Sequence, residues 1–193
     1  MKAADIGCGY GYFLDIMQKK GWDAAGIEPS ENASLLAIGK GLNVIHGTIE
    51  NAEFPENSFN AVTMFYVLEH LPDPYDALKK ILMMLKPRGM LILRIPHTTP
   101  IVKFLSLLGI KNNLYDAPFH LYDFSTKTMT SLLKKAGFSS IKIMPGRPTL
   151  PKKYFETITA ILSTGIGNIL HILTMGKFLL PGVSKTVIAM KHN

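Results

Sequence analysis

Three glycines at alternate positions, Gly7, Gly9 and Gly11, fall where the apolar stretch ending at Ile6 gives way to a helical pattern of Leu14, Ile16 and Met17. Few features constrain a chain more. Glycine has no Cβ, so the backbone can turn at positive φ and approach a ligand closely. The helix that follows aims its free N–H groups at whatever lies in the loop. Strand, glycine turn and helix in this order open a ligand-binding α/β unit, although the same pattern also serves as a plain turn.

The spacing selects among ligands. A dinucleotide fingerprint, G-x-G-x-x-G, would need glycine at position 12, where this chain has Tyr12. With Asp5 two residues ahead of the first glycine, Asp5 to Gly11 reads D-x-G-x-G-x-G and resembles motif I of the class I S-adenosylmethionine (SAM) dependent methyltransferases. The resemblance implies that Asp5, Gly7, Cys8, Gly9 and Gly11 cradle an amino acid carboxylate and a sulfonium. Cys8 is the only cysteine, so there is no intramolecular disulfide, and a small buried side chain suits it better than nucleophilic chemistry.

Trp22 to Ser30 reads as a second short strand ending in a carboxylate, Glu28, with Pro29-Ser30 opening the next helix. A carboxylate there can accept from both ribose hydroxyls, which makes Glu28 and Pro29 cofactor candidates. A third strand and its exit loop run from Asn43 to Glu50. The family usually has an aspartate for the adenine amino group where this chain has Thr48; the Thr48 hydroxyl, the Ile49 main chain or Glu50 can take that part.

Ala61 to Pro74 is a fourth strand running into a loop, and such C-terminal ends form the ligand crevice of an open α/β sheet. Tyr66 and Val67 therefore join the cofactor candidates. Val67 to Pro74 resembles the V-L-E-H-x-x-D-P segment of the same methyltransferases, as does Leu85 to Leu93 ahead of the fifth strand. Some quinone O-methyltransferases are thought to bind a metal through this Glu-His pair and an acid three residues before the Glu. Here that position is Tyr66, which favours a cleft-shaping role for Glu69 and His70, and no metal is expected. Pro118 to Ser125 resembles the P-x-H-L-x-x-F-S segment of one branch. Ser125 then caps a helix from about Lys127 to Lys135, followed by a sixth strand, Ser140 to Met144. The likeness covers Met1 to Met144.

Only Met1 to Ala4 precede Asp5, whereas methyltransferases of this type carry an N-terminal helical segment that helps close the cleft. The expectation is a missing N-terminal segment: either an incomplete version of a longer protein, or a more open cofactor site. The chain starts directly with a strand and shows no secretory signal, so it reads as cytoplasmic.

Charge is uneven. Residues 1–80 hold six Lys/Arg and eleven Asp/Glu, a balance of 6 − 11 = −5, while residues 81–193 hold fifteen and three, 15 − 3 = +12. An acidic half suits a cationic cofactor, and a basic half suits an anionic partner such as a membrane surface or a lipid-linked acceptor. Nucleic acid fits less well, because the basic residues are not interleaved with aromatics. Two apolar segments exceed a minimal fold, Ile101 to Ile110 and Tyr154 to Leu180. Residues 157–176 carry no charge, and Ile158, Ile161, Ile166, Ile169, Ile172 and Leu173 fall mostly on one side of a helix. That length could span a bilayer, but its glycines and polar residues favour an interfacial or substrate-covering helix, a core helix, or a dimer interface.

Alternating strands and helices at 47% hydrophobic content predict a single α/β domain over residues 1–193, which the resemblance implies is a methyltransferase domain. The expected fold is α/β and Rossmann-like: a doubly wound, mostly parallel seven-stranded sheet with helices on both faces and an antiparallel last strand, Thr186 to Met190. Segments 97–118 and 150–183 are expected as substrate-cap or interface insertions. The resemblance implies a SAM-dependent enzyme acting on a small-molecule or lipid-linked acceptor, cytoplasmic and open to a peripheral position at the inner membrane face. His120 is the first candidate for a general base and His97 the second, although either also fits a structural histidine. The rival readings are a nicotinamide oxidoreductase, against which Tyr12 and the Glu-His segment speak, and a non-catalytic binding or scaffold protein.

Overall fold

The computed structural model describes residues 1–97, 106–111, 119–146, 169, 173–174 and 184–193. Most of the two expected insertions, 97–118 and 150–183, lies outside these residues. So does the apolar segment 157–176 apart from Ile169, Leu173 and Thr174.

Seven strands form one sheet: β1 (Lys2–Ile6), β2 (Asp23–Glu28), β3 (Asn43–His46), β4 (Phe59–Phe65), β5 (Leu85–Ile95), β6 (Phe138–Pro145) and β7 (Lys185–Lys191). Their order is β3-β2-β1-β4-β5-β7-β6. The first five are parallel, and β7 enters antiparallel between β5 and β6. Runs such as Ala3-Ala4-Asp5-Ile6 and Ala61-Val62-Thr63-Met64 are buried throughout, as expected of central parallel strands covered on both faces.

Among the described residues, the helices α1 (Tyr12–Lys19), α2 (Glu31–Gly39), α3 (Pro74–Met84) and α4 (Thr126–Ala136) cover the sheet. Leu14 of α1 and Ala37 of α2 pack with Cys8, Ala24 and Leu42 in one cluster. Leu78 and Ile81 of α3 and Met129 and Leu133 of α4 pack with Ile6, Met64, Leu91 and Leu93 in a larger one. The caps follow the sequence reading. Ser30 accepts from the Ala33 amide at 3.4 Å and Ser125 from the Thr128 amide at 3.1 Å. The D-P step is a helix start: Asp73 accepts from the Tyr75 and Asp76 amides, with Pro74 in the first turn.

The register fixes the ligand edge. Ile6 pairs with Ile27 on one side and Met64 on the other, so Gly7, Glu28 and Phe65 leave the sheet at the same edge. The strand order reverses direction between β1 and β4, and that switch point opens a crevice at the C-terminal ends of the strands.

Candidate active site

The glycine loop is anchored to β2 by two bonds, from the Gly7 and Cys8 amides to the Ile27 carbonyl at 2.8 and 3.1 Å. Gly7 takes φ 73, and a Cβ there would lie 2.4 Å from Val67 Cγ2, so the first glycine is demanded by packing across the loop. Gly9 differs. It takes φ 54, but an added Cβ would meet nothing within 4 Å, so its missing side chain leaves open space rather than relieving a contact.

Glu28 ties the loop to the end of β2. Its Oε2 accepts from the Gly9 amide and its Oε1 from the Ser30 amide, both at 2.8 Å. Each oxygen keeps a further lone pair for a hydroxyl. The Glu28 carbonyl also accepts from the Gly47 amide at 3.0 Å, which draws the β3 exit loop alongside.

These segments enclose a cavity of about 660 Å³. Of the expected cofactor residues, Gly7, Glu28, Pro29, Thr48, Ile49, Glu50, Tyr66 and Val67 line it, brought together from four separate loops. Asp5, Cys8, Gly9 and Gly11 do not, and neither does His120. Sequence reasoning missed Phe65, Leu71, Pro72 and Phe119, which form much of the apolar wall. Only Phe119 carried a signal, as the neighbour of His120.

Asp5 sits behind the loop rather than in the cavity. It is 4% exposed and accepts from the Thr63 hydroxyl at 2.6 Å. Burial, opposed by that hydrogen bond and reinforced by the Glu28 charge, pushes its carboxyl up to about 7. Cys8 is likewise driven up to about 12, first by burial and then by Asp5 and Glu28, which keeps the thiol protonated and inert.

Tyr66 turns the chain at the end of β4 with φ 58, a left-handed conformation that is unusual for a bulky residue and concentrated at functional sites. Its amide donates to the Arg94 carbonyl at 2.7 Å, and its hydroxyl accepts from Arg94 Nε at 2.9 Å.

Beyond this turn, Leu68–His70 forms a single 3₁₀ turn to which the segment 119–122 is stitched. The Leu121 and Tyr122 amides donate to the Glu69 carbonyl, His70 Nδ1 donates to the Phe119 carbonyl at 2.8 Å, and the Tyr122 hydroxyl donates to the Pro72 carbonyl. His120 is thereby carried against His70, with ring centroids 4.8 Å apart. Glu69, His70 and His120 each offer one ligand atom, and these atoms lie within 4.8 Å of one another. His120, which arrives from far along the chain, stands beside Glu69 and His70 as a third candidate ligand, a partner that the residue types around position 66 do not reveal. Glu69 is fully buried, and its carboxyl is raised by burial, with His70 and His120 acting in the other direction.

Behind this group lies Lys185, fully buried at the start of β7. Its ammonium donates to the Phe124 carbonyl and lies 3.3 Å from His97 Nδ1. Burial lowers it to about 8, against the charges of Asp123 and Glu69. His97, the second base candidate, is buried beside this lysine and away from the cavity lining.

Residues 2–143 match the model of a methyltransferase domain family. The mitochondrial ubiquinone biosynthesis O-methyltransferase of Schizosaccharomyces pombe is 30% identical over 64% of this chain and 48% of its own. The ubiquinone biosynthesis O-methyltransferase of Pseudomonas entomophila is also 30% identical, over 64% and 56%. The chain thus spans about half the length of the curated relatives it matches. Among solved structures, a SAM-dependent methyltransferase from Archaeoglobus fulgidus superposes with a TM-score of 0.68 at 22% identity, covering 98% of this chain and 86% of that one. Phosphoethanolamine N-methyltransferase 2 of Haemonchus contortus, in complex with SAM, gives 0.68 at 17%, covering 100% and 49%. At these identities the structural likeness shows the fold.

Proposed function

The chain belongs to the methyltransferase domain family, and from that premise we propose that it is a SAM-dependent enzyme methylating a small-molecule or lipid-linked acceptor. The observation that carries the reading is the convergence of eight expected cofactor residues, from four loops, on one cavity. The residues fit the cofactor: Gly9 leaves open space above the loop, and Glu28 presents oriented oxygens with lone pairs to spare.

In this reading the loop at Gly7 and Gly9 receives the methionyl part, Glu28 holds the ribose, and Thr48, Ile49 and Glu50 border the adenine. SAM supplies an electrophilic methyl on a sulfonium leaving group. An acceptor lone pair forms the new bond to the methyl carbon as the carbon–sulfur bond breaks, and the electron pair returns to sulfur. What remains for the protein is to align the reactants and exclude water. The apolar wall of Phe65, Leu71 and Phe119 serves the second need.

An oxygen acceptor must also lose a proton. The relatives' O-methyltransferase names support oxygen as the atom methylated. The cluster of Glu69, His70 and His120 is the polar group beside the cavity, His70 being part of its lining, and acceptor activation falls to it. Exposed apolar side chains at Leu107, Leu108, Phe119 and Leu121, together with the basic second half, suit an apolar acceptor and a peripheral place at an anionic membrane. Among the described residues no helix is long and apolar enough to cross a membrane.

Calorimetry tests the reading. Micromolar binding of SAM, with no binding of NAD, is the expected result; NAD binding would return the oxidoreductase, and binding of neither would leave a scaffold protein.

A further inference from the structure

We propose that the Tyr66 hydroxyl, aimed and polarised by Arg94, donates a hydrogen bond to the acceptor oxygen, and that the acceptor is accordingly a phenol reacting as its oxyanion. The inference deepens the methyltransferase reading above and rests on it.

Tyr66 follows the last residue of β4 and lines the cavity. Arg94 lies on β5, paired with Phe65, and its Nε donates both to the Tyr66 hydroxyl and to Ser184 Oγ, each at 2.9 Å. Ser184 precedes β7, so the phenol oxygen is held on the β5–β7 side of β4. The glycine loop and Glu28 stand on the other side, at the ends of β1 and β2. Cofactor and phenol group thus occupy opposite sides of the crevice, which leaves Tyr66 to the acceptor.

Tyr66 and Arg94 grip each other twice, since the Tyr66 amide also donates to the Arg94 carbonyl at 2.7 Å. The hydroxyl therefore accepts from a cation, and among the described residues nothing accepts from it in turn. A phenol hydroxyl has one proton to give, and this one is left for whatever enters from the cavity side. The guanidinium also lies near the ring face, with Cζ 5.6 Å from the centroid. Drawing electron density from the oxygen makes its O–H a stronger donor, above all toward negative charge. The left-handed φ of 58 suits glycine or asparagine better, so a tyrosine is kept here against its backbone preference.

The strength of such a bond selects the acceptor. A hydrogen bond to an ionised oxygen favours that form by roughly ten- to a hundredfold. This brings a phenol, which ionises at about pH 10, within reach of a histidine base, and is far too little for an aliphatic alcohol. An aromatic ring also suits the wall of Phe65, Leu71 and Phe119. The acceptor proton passes to an imidazole of the His70–His120 pair, and the oxyanion's lone pair forms the bond to the methyl carbon. The carbon–sulfur pair returns to sulfur, and Tyr66 keeps its own proton throughout, as a fixed donor does.

The test uses 4-nitrophenol as the probe, because its phenolate absorbs visible light and its neutral form does not. The full chain is saturated with S-adenosylhomocysteine, which has no methyl to transfer, and the probe's ionisation is followed by absorbance as pH is varied. The parent should bind the phenolate at least about tenfold more tightly than the phenol, seen as a saturable displacement of the titration to lower pH. Tyr66→Phe, which removes one hydroxyl, should abolish the preference while melting near the parent temperature. Arg94→Lys keeps the charge but not the Nε held between two oxygens, and should lose most of it. No displacement by the parent, or a parent-like one in Tyr66→Phe, would overturn the proposal, and a parent-like one in Arg94→Lys would overturn the part given to Arg94. Calorimetry with S-adenosylhomocysteine on the same samples separates the failures. Without cofactor binding the proposal falls together with the methyltransferase reading; with it, the proposal falls alone.

Discussion

The Gly9 amide donates a 2.8 Å hydrogen bond to Glu28 Oε2, joining the glycine loop to the residue expected to hold the ribose. Loop and carboxylate are therefore one preorganised unit. Glu28→Gln must set its NH₂ against either the Gly9 or the Ser30 amide, placing donor against donor. Both loop order and cofactor affinity should suffer, by about 1–3 kcal/mol, or roughly a tenfold or greater rise in the SAM Kd by calorimetry. Gly9→Val should abolish SAM binding, because its side chain would project into the open space above the loop. Parent-like affinity in both variants would remove the loop from the cofactor site.

Asp5 supplies a pH dependence. Its carboxyl moves from 3.8 to about 7 on folding, so the folded state binds its proton more tightly than the unfolded chain. The resulting stabilisation is full below pH 3.8 and is lost as pH rises to about 7, then stays lost. Asp5→Asn keeps an acceptor for Thr63 and has no such loss. Relative to the parent it should gain at least about 1 kcal/mol between pH 4 and pH 8 in denaturant titrations. A constant difference across that range would show that Asp5 does not titrate there.

His120→Ala should lower methyl transfer by roughly a hundredfold or more while the SAM Kd stays near its parent value, since His120 lies outside the cofactor lining. Parallel losses of melting temperature and activity would instead make His120 a structural residue.

Membrane recruitment is expected from the basic balance of residues 81–193 acting with apolar side chains. Ile169 is 59% and Leu173 73% exposed. In vesicle sedimentation, binding should rise with anionic lipid, fall with salt, and drop for Ile169→Asp. Retention in the supernatant at every composition would leave the acceptor to be met in solution.

The loops that line the cavity were legible because their causes are local. A glycine that must turn, a carboxylate at a strand end and a capping serine each act within a few residues, so Gly7, Glu28 and Ser30 could be placed from the chain alone. Alternating strand and helix patterns likewise pointed to the α/β class, while the antiparallel last strand was implied by the family resemblance. Asp5 shows the limit of motif reading: it belongs to the glycine pattern, yet strand register turns it toward Thr63 and away from the cavity.

The grouping of Glu69, His70 and His120 was decided by tertiary structure. Spacing along β4 offered only Tyr66 as a third partner for Glu69 and His70, and nothing local says that residue 120 returns to this turn. It does so because Leu121 and Tyr122 give their amides to the Glu69 carbonyl and Phe119 gives its carbonyl to His70. Lys185 is similar, a lysine that reads as surface charge until β7 inserts between β5 and β6 and buries it against Phe124. The chain by itself determined which backbone conformations and strand ends could form, since those follow from short-range sterics and hydrophobic periodicity. Which distant side chains share a dry site was set by long-range packing and strand order, to which no pattern of neighbouring residues corresponds.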